Sequence, residues 1–397
     1  MSSIPCMFSP MPRRLWTPGM YALLVVVAIG VVGGADRFLI GLQDTTNLDQ
    51  QYPWGIWIVA DVSFIALAAG GFATAALIHV LHRTQYHLLA RPALVLALLG
   101  YTSACLALAA DLGRYYNIWH PILPQCWQGN SALFEVGMCV MCYLTVLWIE
   151  FVPVVCERFR DDPSRPRLKA ICTILYNLTE RWMAVFVVLG VGISCLHQSS
   201  LGNVMVLAGY KLNALWQTPV LALLFLVSAI AVGFSTVIFV FICTTWTLRI
   251  DPQMNVLSRA ARYVPLLLSV YLAIKIGDML IRHSYVELAE FNVMSASFLV
   301  EMVVGLMIPI VMTLFARVRA SAGLLAVATG MAGFGIVLNR ANVYWIGYRP
   351  PYTDKLYIPT LTEWTVVLGV VAAALIVWRV IMVHLPVIST PEQEPSR

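Results

Sequence analysis

VLALLFLVSAIAVGFSTVIFVFICTTWTL, residues 220–248, runs for 29 positions without an Asp, Glu, Lys, Arg or His. A helix rising about 1.5 Å per residue needs roughly 20 apolar residues to cross a bilayer core of about 30 Å. This stretch therefore reads as a membrane span. On the same scale the chain holds ten: roughly 18–41, 56–81, 92–115, 131–154, 182–203, 220–248, 260–281, 294–316, 321–343 and 362–384. Polar residues interrupt the fifth and the ninth. The expected fold is all-α: a polytopic membrane protein of about ten helices and no sizeable water-soluble domain. Residues 1–17 form an N-terminal tail, 18–384 the transmembrane domain and 385–397 a C-terminal tail. Pro391, Glu392, Glu394 and Pro395 give the last a disordered composition. The first apolar run begins near Pro18, is longer than a signal core, and is expected to remain as a helix.

Composition agrees. The chain has 397 residues, 60% hydrophobic and 11% charged, with a mean hydropathy of +0.81. A soluble domain carries about 25% charged residues, and a chain this apolar needs lipid as the solvent of its exterior. The net charge of +5 forms no basic stripe with stacking aromatics, so a nucleic-acid partner is excluded. Cys105, Cys139, Cys142, Cys195 and Cys243 lie inside apolar runs and read as packing residues. The single CxxC pair, Cys139 and Cys142, lacks the two further ligands of a structural zinc site.

The loops orient the bundle. Arg13 and Arg14, then Arg83 and Arg91, then Arg158, Arg160, Arg165, Arg167, Lys169 and Arg181, then Arg249 and Arg259, then Arg317 and Arg319 fall on one side. The other side has none in 42–55, Lys211, and Arg349 with Lys355. The positive-inside rule puts both termini in the cytoplasm. Trp54, Trp57, Tyr115, Tyr116, Trp119, Trp127, Trp216, Tyr344, Trp345 and Trp364 form an aromatic belt near the outer helix ends. Gly70 with Gly71, and Gly190 with Gly192, are expected to admit close helix approach.

Ionisable groups inside a membrane are costly and demand an explanation. Asp61 lies about 7 Å below the outer edge on the helical rise. Asp111, Arg114 and Glu135 are similarly shallow. His197, followed by Gln198, Ser199 and Ser200, sits in the outer third, as does Glu301. Lys275 and Asp278 are in the outer half, and Asn339 with Arg340 closes the ninth helix. Asp111 with Arg114, and Lys275 with Asp278, are three apart and are also placed to neutralise each other. Polar residues thus gather at the outer side, which suits a quinone: an apolar ring with two carbonyls that arrives through the bilayer. A His can donate to a carbonyl and exchange a proton, and Asp111 can orient it or relay the proton. A bis-His haem needs two deep histidines on facing helices; only His197 is deep, while His79, His82, His87, His120, His283 and His384 lie toward helix ends or loops. No haem and no Fe–S cluster are expected in this chain, so if it handles quinone a partner must take or give the electrons.

At these residues the sequence resembles the NrfD/PsrC family of membrane subunits, in its HybB-like branch. The matching stretches are PWGIWIVAD (53–61), QYHLLARPALVLALLGY (85–101), DLGRYYN (111–117), LFEVGMC (133–139), LHQSSLGNVMVLAGYK (196–211) and LWQTP (215–219). NRANV (339–343) and IPTLTEW (358–364) are similar to the DsrP and HmcC subunits. The resemblance implies two four-helix bundles plus flanking helices. It implies a quinone-interacting subunit of a respiratory oxidoreductase complex in the bacterial inner membrane, with menaquinone or ubiquinone as substrate and possible proton translocation. It also implies a periplasmic ferredoxin-like iron–sulfur subunit as partner, with a multihaem cytochrome c, a hydrogenase or another catalytic subunit beyond it, and further membrane subunits. His197 and Asp111 then become the quinone and proton-handling residues, supported by Arg114, Asp61, Gln198 and Ser199. Glu135, Glu301, Arg340 and the inner-side Glu150 become candidates for a proton path. Two other readings stay open: an anchor for the iron–sulfur subunit that binds no quinone, and a secondary transporter.

Overall fold

The computed structural model describes residues 7–8, 10, 13–160, 164–353 and 355–390. Ten helices in it are long and apolar enough to span a membrane: α1 (Pro18–Ile40), α2 (Ile56–His79), α3 (Thr84–Asp111), α4 (Ala132–Phe159), α5 (Pro166–Leu207), α6 (Leu221–Leu248), α7 (Met254–Ile281), α8 (Val293–Leu314), α9 (Ala322–Ile346) and α10 (Leu361–His384). The protein is an all-α, multi-pass membrane protein. Helices α2–α5 pack as one four-helix bundle and α6–α9 as a second, and α6 lies against both α2 and α5 at the seam. α1 and α10 pair with each other and rest on α3 and α2.

Small residues set these approaches. At the seam, a Cβ on Gly70 of α2 would stand 2.6 Å from the carbonyl oxygen of Gly233 on α6. In the flanking pair, a Cβ on Gly30 would stand 2.6 Å from the Cα of Gly369. Lipid supplies no hydrophobic drive between helices, so such backbone contact is what packs them. Gly30→Leu is therefore expected to split α1 from α10. Overpacking costs typically about 1–3 kcal/mol, read as a fall of several degrees in the Tm of the purified chain in detergent; an unchanged Tm would refute the pairing. Gly190 faces Glu150 and Tyr143 of α4 closely, but a Cβ on Gly192 would meet nothing within 4 Å, so Gly192 takes no part in packing. Leu24, Val25, Ile29, Val31 and Val32 of α1 are exposed and form its lipid face.

Three departures from the sequence reading have physical causes. α5 begins at Pro166 rather than 182 and runs 42 residues, about 63 Å. Arg167, Lys169, Glu180 and Arg181 interrupt its hydropathy without interrupting its hydrogen bonds. Residues 385–388 are not a loose tail: Val387 and Ile388 are buried and Pro386 O accepts from Arg91 Nη1 at 2.6 Å. Ser389–Thr390 pairs with Met7–Phe8 as two short antiparallel strands; Pro391, Glu392, Glu394 and Pro395 lie outside the described residues. Finally, single π-helical turns interrupt α2 at Ala76–Val80, α8 at Val303–Met307 and α9 at Asn342–Ile346. His79 lies in the first of these turns, and Glu301 and Arg340 lie two residues before the other two; such turns often gather at functional positions.

Candidate functional site

The ends of α1, α2, α3 and α10 that lie away from the termini meet at a cluster of ionisable side chains. Arg37, in the last turn of α1, is 1% exposed. Its Nε donates to Ala110 O at 2.7 Å and its Nη2 to Leu112 O at 2.8 Å. Those carbonyls close α3, where the helix leaves acceptors unpaired and its dipole favours a cation. Asp111 lies between them. Its charge lies within electrostatic reach of Arg37 and Glu363, and Asp61 lies within reach of Asp111. Asp111 Oδ1 is buried and takes no hydrogen bond from the described residues.

Glu363 locks the start of α10 to the start of α2. With Thr360 it makes a capping box: Thr360 N donates to Glu363 Oε2 at 2.8 Å. The Tyr357 hydroxyl donates to Glu363 Oε1 and accepts Ile56 N at 3.0 Å. Trp57 Nε1 donates to Glu363 O at 3.0 Å. Burial, then the carboxylate beside it, holds the Tyr357 hydroxyl above its ordinary pKa, so it stays a donor.

Behind this cluster a line of protonatable groups runs through the first bundle. His197 is fully buried and neither ring nitrogen has a hydrogen-bond partner. Its ring meets Tyr101 edge-on at 5.5 Å. The Tyr101 hydroxyl is 3.3 Å from Ser194 Oγ and its ring is 4.6 Å from Tyr143. Tyr101 is also within electrostatic reach of Asp61, and Tyr143 of Glu150. Glu150 opens on a cavity of about 160 Å³ on the side of the termini, which His79, His87, Arg91 and Glu180 also line.

The expected residues thus divide. Asp111 and Asp61 come together, joined by Arg37 and Glu363. His197 stands deeper, against Tyr101. Arg114 is exposed and makes no ion pair with Asp111 among the described residues; Arg37 takes the place the sequence reading offered it. Gln198 Nε2 bridges to Ile65 O at 2.8 Å, fastening α5 to α2. Ser199 spends its hydroxyl on Leu196 O of its own helix at 2.8 Å. Glu135 accepts from Ser200 Oγ at 2.6 Å. Glu301 lies in the second bundle and is saturated: Lys275 Nζ and Asn339 Nδ2 donate to Oε1, Trp216 Nε1 and Asn342 Nδ2 to Oε2. Lys275 therefore pairs with Glu301 and not with Asp278, which binds Arg282 at 2.7 Å and Thr218 at 2.7 Å. Arg340 lies over the Phe225 ring at 3.6 Å and donates to Asn339 Oδ1 at 2.8 Å.

Arg37, Glu363 and Tyr357 escaped the sequence reading, though each left a signal. Arg37 is an ionisable residue inside an apolar run. Thr360-x-x-Glu363 is a helix-start pattern.

Comparison with known proteins fits this architecture. The family model for polysulphide reductase NrfD matches residues 44–350. The chain belongs to the NrfD family. It is 29% identical over 378 residues, 94% of this chain and 93% of the relative, to the probable Ni/Fe-hydrogenase 2 b-type cytochrome subunit of Escherichia coli (strain K12). It is 32% identical to a protein of Nitratidesulfovibrio vulgaris, covering 95% and 96% of the two chains. From the same organism, the menaquinone reductase integral membrane subunit is 27% identical over 93% of this chain and 88% of its own.

One of those names raises haem. The residues here do not fit it. Among the described residues the ring partner of His197 is Tyr101, not a second histidine. His79 and His87 share a cavity of about 160 Å³, far smaller than a porphyrin, with charged neighbours on its walls. Among the described residues no group of three or more His, Cys, Asp or Glu is placed to hold a metal ion.

Proposed function

We propose that this NrfD-family chain is the quinone-reactive membrane subunit of a bacterial respiratory oxidoreductase complex. The observation that carries the reading is the convergence of Asp61, Asp111, Arg37 and Glu363 at one end of the first bundle, with a buried Asp111 oxygen that takes no hydrogen bond from the described residues. A buried polar atom normally finds a partner; a quinol hydroxyl arriving through the lipid is a fitting one.

Oxidising a quinol releases two protons and two electrons. Asp111 accepts hydroxyl protons, and Asp61 beside it is a second acceptor. Arg37, pinned to the end of α3, steadies the negative charge that results. The electrons pass to a partner at that face, an iron–sulfur subunit that leads to a hydrogenase or another catalytic subunit; the reverse flow reduces quinone. One relative, by name a menaquinone reductase subunit, favours menaquinone. The positive-inside asymmetry puts the termini in the cytoplasm and Asp111 near the periplasmic face of the inner membrane. His197, Tyr101, Tyr143 and Glu150 then form a proton route between that face and the cytoplasm.

Asp111→Asn in the assembled complex tests this. Quinol turnover is expected to fall by about tenfold or more, a moderate loss for a proton acceptor because Asp61 remains. Wild-type turnover would move the site elsewhere. Asp111→Glu, which keeps the charge, is expected to retain assembly and recover part of the rate; if neither variant assembles, Asp111 serves only to hold Arg37.

A further inference from the structure

A cavity of about 960 Å³ separates the α1/α10 pair from the two bundles. α1 and α10 contribute Met20, Leu375 and Trp378 to its wall, α3 Gly100, α6 Phe239, and α9 Gly333. The helix pair leans on the bundle at the far end, through Arg37 and the Trp57–Glu363 contact. Toward the termini it stands off, tied to α6 by Trp378 Nε1 donating to Thr244 Oγ1 at 3.0 Å. The wall is almost wholly apolar. Along α6 it extends from Thr236 to Leu248, about 18 Å on the helical rise. That matches one leaflet, half of a hydrocarbon core of about 30 Å.

The mouth on the terminal side is positive. Arg379 lines the cavity; its Nε donates to Leu15 O at 3.1 Å and its Nη2 to Arg14 O at 2.8 Å. Arg13 stands at the same end, its Nη2 3.4 Å from Arg249 O. None of Arg13, Arg14, Arg249 and Arg379 makes an ion pair among the described residues. Asp251, two residues beyond Arg249, turns an oxygen to Gln253 N at 3.3 Å.

We infer that this cavity binds one anionic phospholipid of the leaflet on the side of the termini. Its acyl chains fill the apolar wedge and its phosphate meets Arg379 and Arg14. An isoprenoid tail would use the same walls but has no charge for the four arginines, and the carboxylate cluster lies at the opposite helix ends. Clusters of basic residues at a membrane edge select anionic headgroups. The inference is independent of the quinone reading.

The test uses the purified full chain, stripped in detergent, then exposed to nanodiscs of phosphatidylglycerol or of phosphatidylcholine, with bound lipid and quinone measured by native mass spectrometry and extraction. Wild type is expected to retain one phosphatidylglycerol in preference to phosphatidylcholine. Gly333→Phe fills the cavity, since a Cβ there has its nearest neighbour, Leu67, at 3.8 Å; it is expected to lose that lipid. Arg379→Gln is expected to keep lipid but lower the preference for phosphatidylglycerol by roughly tenfold. Retention of neither lipid, equal retention of both by wild type and Arg379→Gln, or loss of co-purified quinone rather than phospholipid in Gly333→Phe would each overturn the inference.

Discussion

Glu301→Ala is expected to leave little folded chain in the membrane. The carboxylate is 1% exposed, and its two oxygens take donors from Lys275, Asn339, Trp216 and Asn342, on α7, α9, the loop before α6 and the π-turn of α9. Deleting it strands the Lys275 ammonium, 5% exposed, between the rings of Phe298 at 5.0 Å and Tyr271 at 5.8 Å. It also removes a carboxylate within electrostatic reach of Arg340. Breaking a buried pair from one side costs about 3–5 kcal/mol, and each orphaned donor about 1–3 more. A whole protein is stable by about 5–15 kcal/mol. The loss is therefore comparable to the total, and membrane abundance and Tm should both collapse. Lys275→Met combined with Glu301→Gln removes both charges and keeps an acceptor, so it is expected to recover much of the yield. Should Glu301→Gln alone accumulate normally while proton-coupled turnover fails, Glu301 would be a proton carrier and the second bundle more than a scaffold.

How far the sequence carried this reading depended on the range of the forces involved. Span count follows from local hydropathy and survived intact, down to the interrupted ninth helix. The start of α5 did not, because hydropathy registers Arg167 and Lys169 but not the continuous hydrogen bonds behind them. Pairing between helices was harder. Asp111 and Arg114 stand three apart, a spacing that pairs charges when both lie on one helix, yet α3 ends at Asp111, and Arg37 reaches over from α1 to the free carbonyls beside the acid. Likewise Lys275 looked to Asp278 within its own helix and found Glu301 on the next. Intrahelical spacing names the candidates, and interhelical packing chooses among them. Burial of His197 and Glu301 was legible from depth alone. That one is unbonded and the other fully saturated was not, since it depends on where Asn339, Asn342 and Trp216 point.

That contrast sets the unbonded His197 of the first bundle apart from the saturated Glu301 of the second and leads to the second large effect. Glu150→Gln is expected to abolish proton transfer across the membrane during quinone turnover while leaving the affinity of a quinol-site inhibitor unchanged. Glu150 lines the cavity of about 160 Å³ on the terminal side together with Tyr143, is the carboxylate within electrostatic reach of that tyrosine, and from Tyr143 the ring of Tyr101 leads to both His197 and Asp61. A glutamine fills the same space and carries no exchangeable charge. Removing a proton-transfer group costs typically about 10²–10⁴-fold in rate, enough to erase a pH-dye signal from proteoliposomes loaded with the intact complex. His197→Gln should behave in the same way, for its ring faces Tyr101 inside the bundle rather than the lipid. If His197→Gln instead weakens inhibitor binding by tenfold or more, about 1.4 kcal/mol, the histidine touches the quinone ring directly and the site reaches deeper than Asp111. If Glu150→Gln leaves the dye signal intact, protons reach Asp111 from its own face, and quinone turnover in this chain moves no charge across the first bundle.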